Sequence, residues 1–166
     1  VPFTAEDVDA GRHFHLAIRF TSVMEQDIQH IARTEGRLRN SSDHRIVAAR
    51  VAELCRSLTR APGAQPFVPD EFEGPDLQEL ARRVLSEFSD VLDDAYGAGG
   101  FIAFDFSADF GAPVTEQHQR CWTMCDPDSP VTFVVIPGYV VDGQRFSLQV
   151  VFTESADTPN SSGRAH

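Results

Sequence analysis

The sequence predicts an α+β fold: a small, mainly antiparallel sheet of about four strands with three helices packed on one face, in the order β-α-α-α-β-β-β. Three observations carry this expectation. Long stretches repeat apolar residues at helical spacing. An Asp-Gly pair at 142–143 lies between two runs suited to strands, the strongest short hairpin signal. Helix-like and strand-like segments are segregated along the chain rather than alternating.

In chain order, residues 1–12 form a polar lead-in. Phe14, Leu16, Ile18 and Phe20 then alternate with His13, His15, Ala17 and Arg19, which predicts a half-buried strand over 13–21. Ser22-Val-Met-Glu25 has the form of a capping box, so a helix is expected from there, with Met24, Ile28, Ile31 and Leu38 inward. Gly36 and the 40–43 run mark its end. A second helix is expected from about Asp43 to Arg60, where Val47, Val51, Leu54, Cys55 and Leu58 share a face. The Pro-rich segment 61–74 reads as a long loop that either wraps the core through Phe67 and Phe72 or is mobile.

The clearest helix is 75–96. Pro75 suits its first position, and Leu77, Leu80, Ala81, Val84, Leu85, Phe88, Val91 and Leu92 form one stripe. Gly97, Gly99 and Gly100 stop it, and 101–106 reads as a strand. Two further strands, 131–136 and 145–152, are expected to pair through Asp142-Gly143. Tyr139 would then face Phe146, with Phe146, Leu148, Val150 and Phe152 on the buried side. Pro137-Gly138 should bulge the first of these strands or end it early. Residues 1–153 are expected to form one domain and 154–166 a polar, disordered tail.

Composition narrows the function classes. A chain of 166 residues with 42% apolar content can bury one sizeable core, and thirteen phenylalanines point to a Phe-built interior. The net charge is −11, and all 14 basic residues are arginine, a composition typical of a GC-rich bacterial genome. Val1 in place of methionine fits the same picture as a GUG start, and fits a trimmed fragment equally. Such an acidic chain lacks the basic stripe that nucleic-acid binding needs. The chain opens without the basic and apolar regions of a signal peptide, and no apolar run approaches the roughly 20 residues that span a bilayer. Three cysteines, an odd number, suit a reducing compartment. A cytoplasmic protein that binds neither nucleic acid nor membrane is expected.

Chemistry could sit in two places. His118, Cys121 and Cys125 in HQRCWTMC would share a face if the segment were helical, and thiolate and imidazole ligands suit zinc or iron. The Cys-x3-Cys spacing is looser than a zinc knuckle, however, and cysteine is among the most buried residue types. Acidic Asp126 and Asp128 would hold a thiol protonated, against a redox role. HQRCWTMC is therefore expected to be structural, anchoring the crossover into the final hairpin, with a metal as the alternative. The second place is the polar face of the sheet. On a strand His13, His15 and Arg19 point the same way, and Arg145, Gln149 and Asp105 would extend that face if the strands are neighbours.

No nucleotide loop, nucleophile elbow or Schiff-base lysine is present in the sequence. The expectation is a non-catalytic cytoplasmic interaction module with a protein partner, for example of antitoxin or immunity type, and with no cofactor. Two alternatives stay open: a small metal-dependent enzyme using His13 and His15 or His118, Cys121 and Cys125, and a small-molecule binder or cofactor-free enzyme with a Phe-lined pocket between sheet and helices. A homodimer through an exposed last strand is also expected as an option.

Overall fold

The computed structural model describes residues 8–36, 38 and 41–153. The start at Val1 and the tail 154–166 lie outside the described residues. The class is α+β as expected, with the helices first and the strands after them. The strands form two small sheets of three rather than one of four.

The expected first strand is a helix. α1 spans Ala10–Ser22, and the Asp9 side chain caps it by accepting from the Arg12 N–H at 3.1 Å. The buried residues are His13, Leu16, Ala17 and Phe20, at i, i+3, i+4 and i+7. Phe14 and Ile18, which completed the apparent alternation, are 50% and 68% exposed. The two templates share Leu16 and Phe20, and the burial of His13 decides between them.

Ser22 starts nothing. Its side chain makes no capping bond, because the helix runs on through a π-helical stretch, Val23–Ile28, into α2, Gln29–Thr34. Met24, Ile28 and Ile31 are fully buried on it, as their spacing predicts. α3 spans His44–Leu58 with Asp43 as its cap, and Val47, Val51, Leu54, Cys55 and Leu58 are all buried. Arg50 holds α3 to the end of α2 through a two-pronged pair with Glu35, at 2.8 and 2.7 Å.

Segment 61–74 wraps the core. Phe67 and Phe72 lie ring to ring and pack on the main cluster, and the Gln78 side chain donates to the Phe72 carbonyl at 3.0 Å. α4, Pro75–Ala98, packs against α1 and α2 and buries Leu77, Ala81, Val84, Phe88 and Val91 of the predicted stripe, while Leu80, Leu85 and Leu92 are half-buried.

The first sheet is antiparallel, in the order β1 (Ile102–Asp105), β4 (Gly138–Val141), β5 (Gln144–Arg145). The second has the order β2 (Gln119–Cys121), β6 (Gln149–Thr153), β3 (Val131–Ile136), with β2 parallel to β6. Asp142-Gly143 does make the turn, with φ of 49° and 80°. It joins β4 to β5, however, because Pro137-Gly138 ends β3 and passes the chain to the other sheet. The Phe146 N–H donates to the Tyr139 carbonyl at 2.8 Å, so those two residues face each other as expected.

β6 lies between two neighbours and is buried at every residue. Val151 and Gln149 are therefore interior rather than on an outer face, and an edge-paired dimer through this strand is closed off. Leu148 sits in the irregular link before β6 and is 40% exposed, outside the buried set predicted for it. α3 packs on β3 and α1 on β4. Among the described residues no helix is long and apolar enough to cross a membrane.

Candidate functional site

The residues singled out in the sequence fall into three separate places. Asp105, Arg145 and Gln149 do converge. Arg145 Nη2 donates to Asp105 Oδ2 at 3.0 Å across the β1–β4–β5 sheet. The Ser107 N–H and hydroxyl both donate to Asp105 Oδ1. Gln149 Nε2 donates to the carbonyls of Asp105 and Ser107, each at 2.9 Å, and Gln149 Oε1 accepts from Gln119 Nε2 at 2.9 Å. Burial raises the Asp105 carboxyl, but the Ser107 hydrogen bonds and the Arg145 pair outweigh it, and the net shift is downward. The carboxylate thus accepts three hydrogen bonds, two on Oδ1 and one on Oδ2. The cluster fastens the end of β1 to β6 and offers no free base.

His13, His15 and Arg19 do not join it. On a helix His13 and His15 point apart: His13 is fully buried and His15 is exposed. His13 Nε2 lies 2.7 Å from the Gly99 carbonyl, and its Nδ1 lies 2.7 Å from the Tyr139 hydroxyl. The imidazole therefore ties α1 to the end of α4 and to β4. Arg19 pairs with Asp94 at 3.1 Å on the surface of α1 and α4.

HQRCWTMC is not helical. Gln119–Cys121 is β2, Trp122 is buried, and a turn with Met124 at φ 66° follows. His118 is exposed on the turn before β2, and Cys121 and Cys125 are half-buried and form no disulfide. The common helical face that would have gathered His118, Cys121 and Cys125 does not exist. No group of three His, Cys, Asp or Glu side chains suited to a metal ion occurs among the described residues. Burial pushes the Cys121 thiol up, and Cys125, Asp126 and Asp128 add to this, against a hydrogen bond involving Thr153. The backbone N–H of Trp122 donates to the Val151 carbonyl at 2.8 Å, so the segment pins the crossover to β6.

The sequence offered a Phe-lined pocket between sheet and helices only as an alternative and named none of its residues; a large opening lies between helix and sheet among the described residues. A groove of about 810 Å³ runs between the end of α3, the outer face of α4 and β1. Leu85, Phe88, Leu92 and Tyr96 of α4 form one wall, Leu58 to Pro62 another, and Phe101 to Phe104 with Phe106 the third. Tyr96 and Phe101 are 67% and 76% exposed. Arg56 lies over the Phe106 ring, 4.6 Å from its centre. The available signal was small: Tyr96 falls off the α4 stripe, and Phe101 follows two glycines that end the helix. A second cleft, about 330 Å³, lies under segment 61–74, where the Glu35 carboxylate is already committed to Arg50.

No family model matches the chain, nor does any curated protein or any solved structure.

Proposed function

We propose that this protein is a non-catalytic interaction module of a bacterial cytoplasm, acting on a protein partner through the groove between α4 and β1. An antitoxin or immunity role is one concrete form, in which an acidic chain of net charge −11 meets a basic partner. The observation that carries the reading is the exposure of Tyr96 and Phe101 on the rim of an open, aromatic-lined groove. Large exposed aromatics gathered in one place mark interaction surfaces. The paired Asp105 and the buried His13 leave the described polar clusters without a free acid–base pair, which also favours binding over chemistry.

The groove's Phe lining favours one second reading, a binder of a small apolar molecule. Its open form, rather than a closed cavity with one polar wall, places this reading behind the first.

The test is photo-crosslinking in the cells of origin, with a photoreactive phenylalanine analogue at position 96 or 101 and, as control, at exposed position 18. One protein, the same from positions 96 and 101 and absent from 18, is the expected result. No adduct from the groove, or the same adducts from all three positions, refutes the proposal. A small ligand retained in native mass spectrometry would select the second reading.

A further inference from the structure

β1 is hydrogen-bonded on one side only. The Asp142 N–H donates to the Phe101 carbonyl at 3.0 Å, and the register continues as Ala103 opposite Val140 and Asp105 opposite Gly138. Antiparallel strands alternate, so the N–H and C=O groups of Ile102 and Phe104 point away from β4. Among the described residues nothing bonds them from that side. Ile102 and Phe104 both line the groove. Proteins usually blunt such an edge with a proline, a cation or a bulge. β1 has no proline, cation or bulge and its register with β4 is unbroken, although it is short, at four residues, and ends on Asp105.

The groove also has electrical polarity along its length. α4 ends at Ala98, just before Phe101, so Asp93 lies toward the Phe101 end. Asp142 is at that end too, accepting from the Phe101 N–H at 2.8 Å. Arg56, over Phe106, and Arg60, one turn beyond it, lie at the other. Among the described residues neither Asp93 nor Arg60 has an ion-pair partner.

We infer that the partner binds as an extended strand added to β1, with apolar side chains filling the groove, a basic residue beside Asp93 and an acidic residue beside Arg60. Strand addition supplies main-chain bonds for affinity and side-chain pockets for selection. An antiparallel strand in this register starts with its acidic residue and ends with its basic one. The inference rests on the reading that the groove binds a protein partner, and it names the chemistry of that partner.

The probe is the blocked peptide acetyl-Glu-Val-Phe-Val-Phe-Arg-amide, titrated into the full chain and followed by amide exchange and NMR shifts. The expected result is at least about tenfold slower exchange at the Ile102 and Phe104 amides, with little change at Ala103 and Asp105. Methylating the alternate peptide nitrogens that face β1 should weaken binding about tenfold or more, the worth of one lost net hydrogen bond, while methylating the other set leaves it unchanged. Exchanging the Glu and Arg of the peptide should weaken binding about threefold or more, and the double variant Asp93→Asn with Arg60→Gln should abolish that preference.

Shifts at Tyr96 and Phe101 without protection of Ile102 and Phe104, or equal tolerance of both methylation patterns, overturn strand addition and leave the interaction module standing. No response to the peptide while the crosslinks at positions 96 and 101 persist also overturns it alone. No response and no crosslink remove both readings. Protection of Ile102 and Phe104 that rises with protein concentration in the absence of peptide assigns the edge to a second copy of this chain and overturns the inference.

Discussion

Tyr139→Phe removes one oxygen from a fully buried pair, and its consequences can be worked out in both neutral and alkaline solution. The Gly99 carbonyl can only accept, so His13 Nε2 carries the proton of the neutral ring, and the Tyr139 hydroxyl donates to Nδ1 at 2.7 Å. Phenylalanine keeps the ring against Phe20, Phe104 and Phe146. What is lost is one buried hydrogen bond, and Nδ1 is left without a donor. That costs about 1–3 kcal/mol. The alkaline arm is independent. Burial pushes the Tyr139 hydroxyl up to about 12 from an ordinary value of 10.0. A raised folded-state pKa means that the contribution is complete below the unfolded value and disappears as pH rises through the folded one. The wild type should therefore lose about 3 kcal/mol between pH 10 and pH 12, and Tyr139→Phe should lack that loss. The buried Cys55 thiol is pushed up as well and acts with the same sign in both proteins, so it cancels in their difference. Urea unfolding at neutral pH and at steps from pH 9 to 12 provides the measurement. A neutral-pH difference below about 0.5 kcal/mol would refute the hydrogen-bond assignment, and a difference that stays constant up to pH 12 would refute the raised Tyr139 pKa.

Three further outcomes follow from the same geometry. Gln149→Leu keeps the volume but strands Gln119 Nε2 and the carbonyls of Asp105 and Ser107, so urea unfolding should show a loss above about 2 kcal/mol, partly recovered in the double variant with Gln119→Leu. Asp105 has a lowered carboxyl pKa, so its contribution is present above the unfolded value and lost as pH falls through the folded one. Asp105→Asn should flatten the acid limb of a pH titration followed by circular dichroism, by about 1 kcal/mol or less because the Arg145 pair is a fifth to a quarter exposed. Gly100→Ala would set a Cβ 2.5 Å from Val141 Cγ1 at φ 86°, whereas Gly111→Ala, at φ 90°, meets nothing within 4 Å; thermal melts should show the first losing clearly more than the second, which bears only the backbone cost of about 1 kcal/mol.

What could be read in the sequence was local. The stripes of α3 and α4 and the Asp142-Gly143 turn depend on residues within one or two turns of each other, and each formed where expected. Residues 13–21 fit two templates, and the choice between them rests on a partner for His13 that lies 126 positions away. β2 has only three residues and exists because β6 is there to pair with it, in parallel and from a distance. The polar face was half legible. Asp105 and Arg145 meet across the sheet as alternation implies, but the phase breaks at 146–148, and Gln149 turns inward to meet Gln119. The groove had almost no signature, because an exposed Tyr96 or Phe101 is defined by what fails to cover it.

The open edge of β1 follows from the hand-off at Pro137-Gly138. Proline has no N–H with which to continue the ladder beside β6. Gly138 has no side chain where a Cβ would sit 2.7 Å from Arg145 Nη1 and 3.2 Å from the Ser147 carbonyl. The chain can therefore cross between the sheets at this point and pass close under Arg145, whose pair with Asp105 then fixes β1 beside β4. Had β3 continued straight into a hairpin with β6, β4 would not lie beside β1 at all. The split places β1 at the margin of a three-stranded sheet, with Phe88 of α4 against Phe104 and, among the described residues, no strand on its outer side. An apolar edge of this kind carries an aggregation cost. A single charged residue at Ala103 would remove that cost without touching the core, since the large buried rings lie on Phe104 and its neighbours. If the proposed strand addition holds, the open edge of β1 and the aromatic groove beside it are two halves of the same surface.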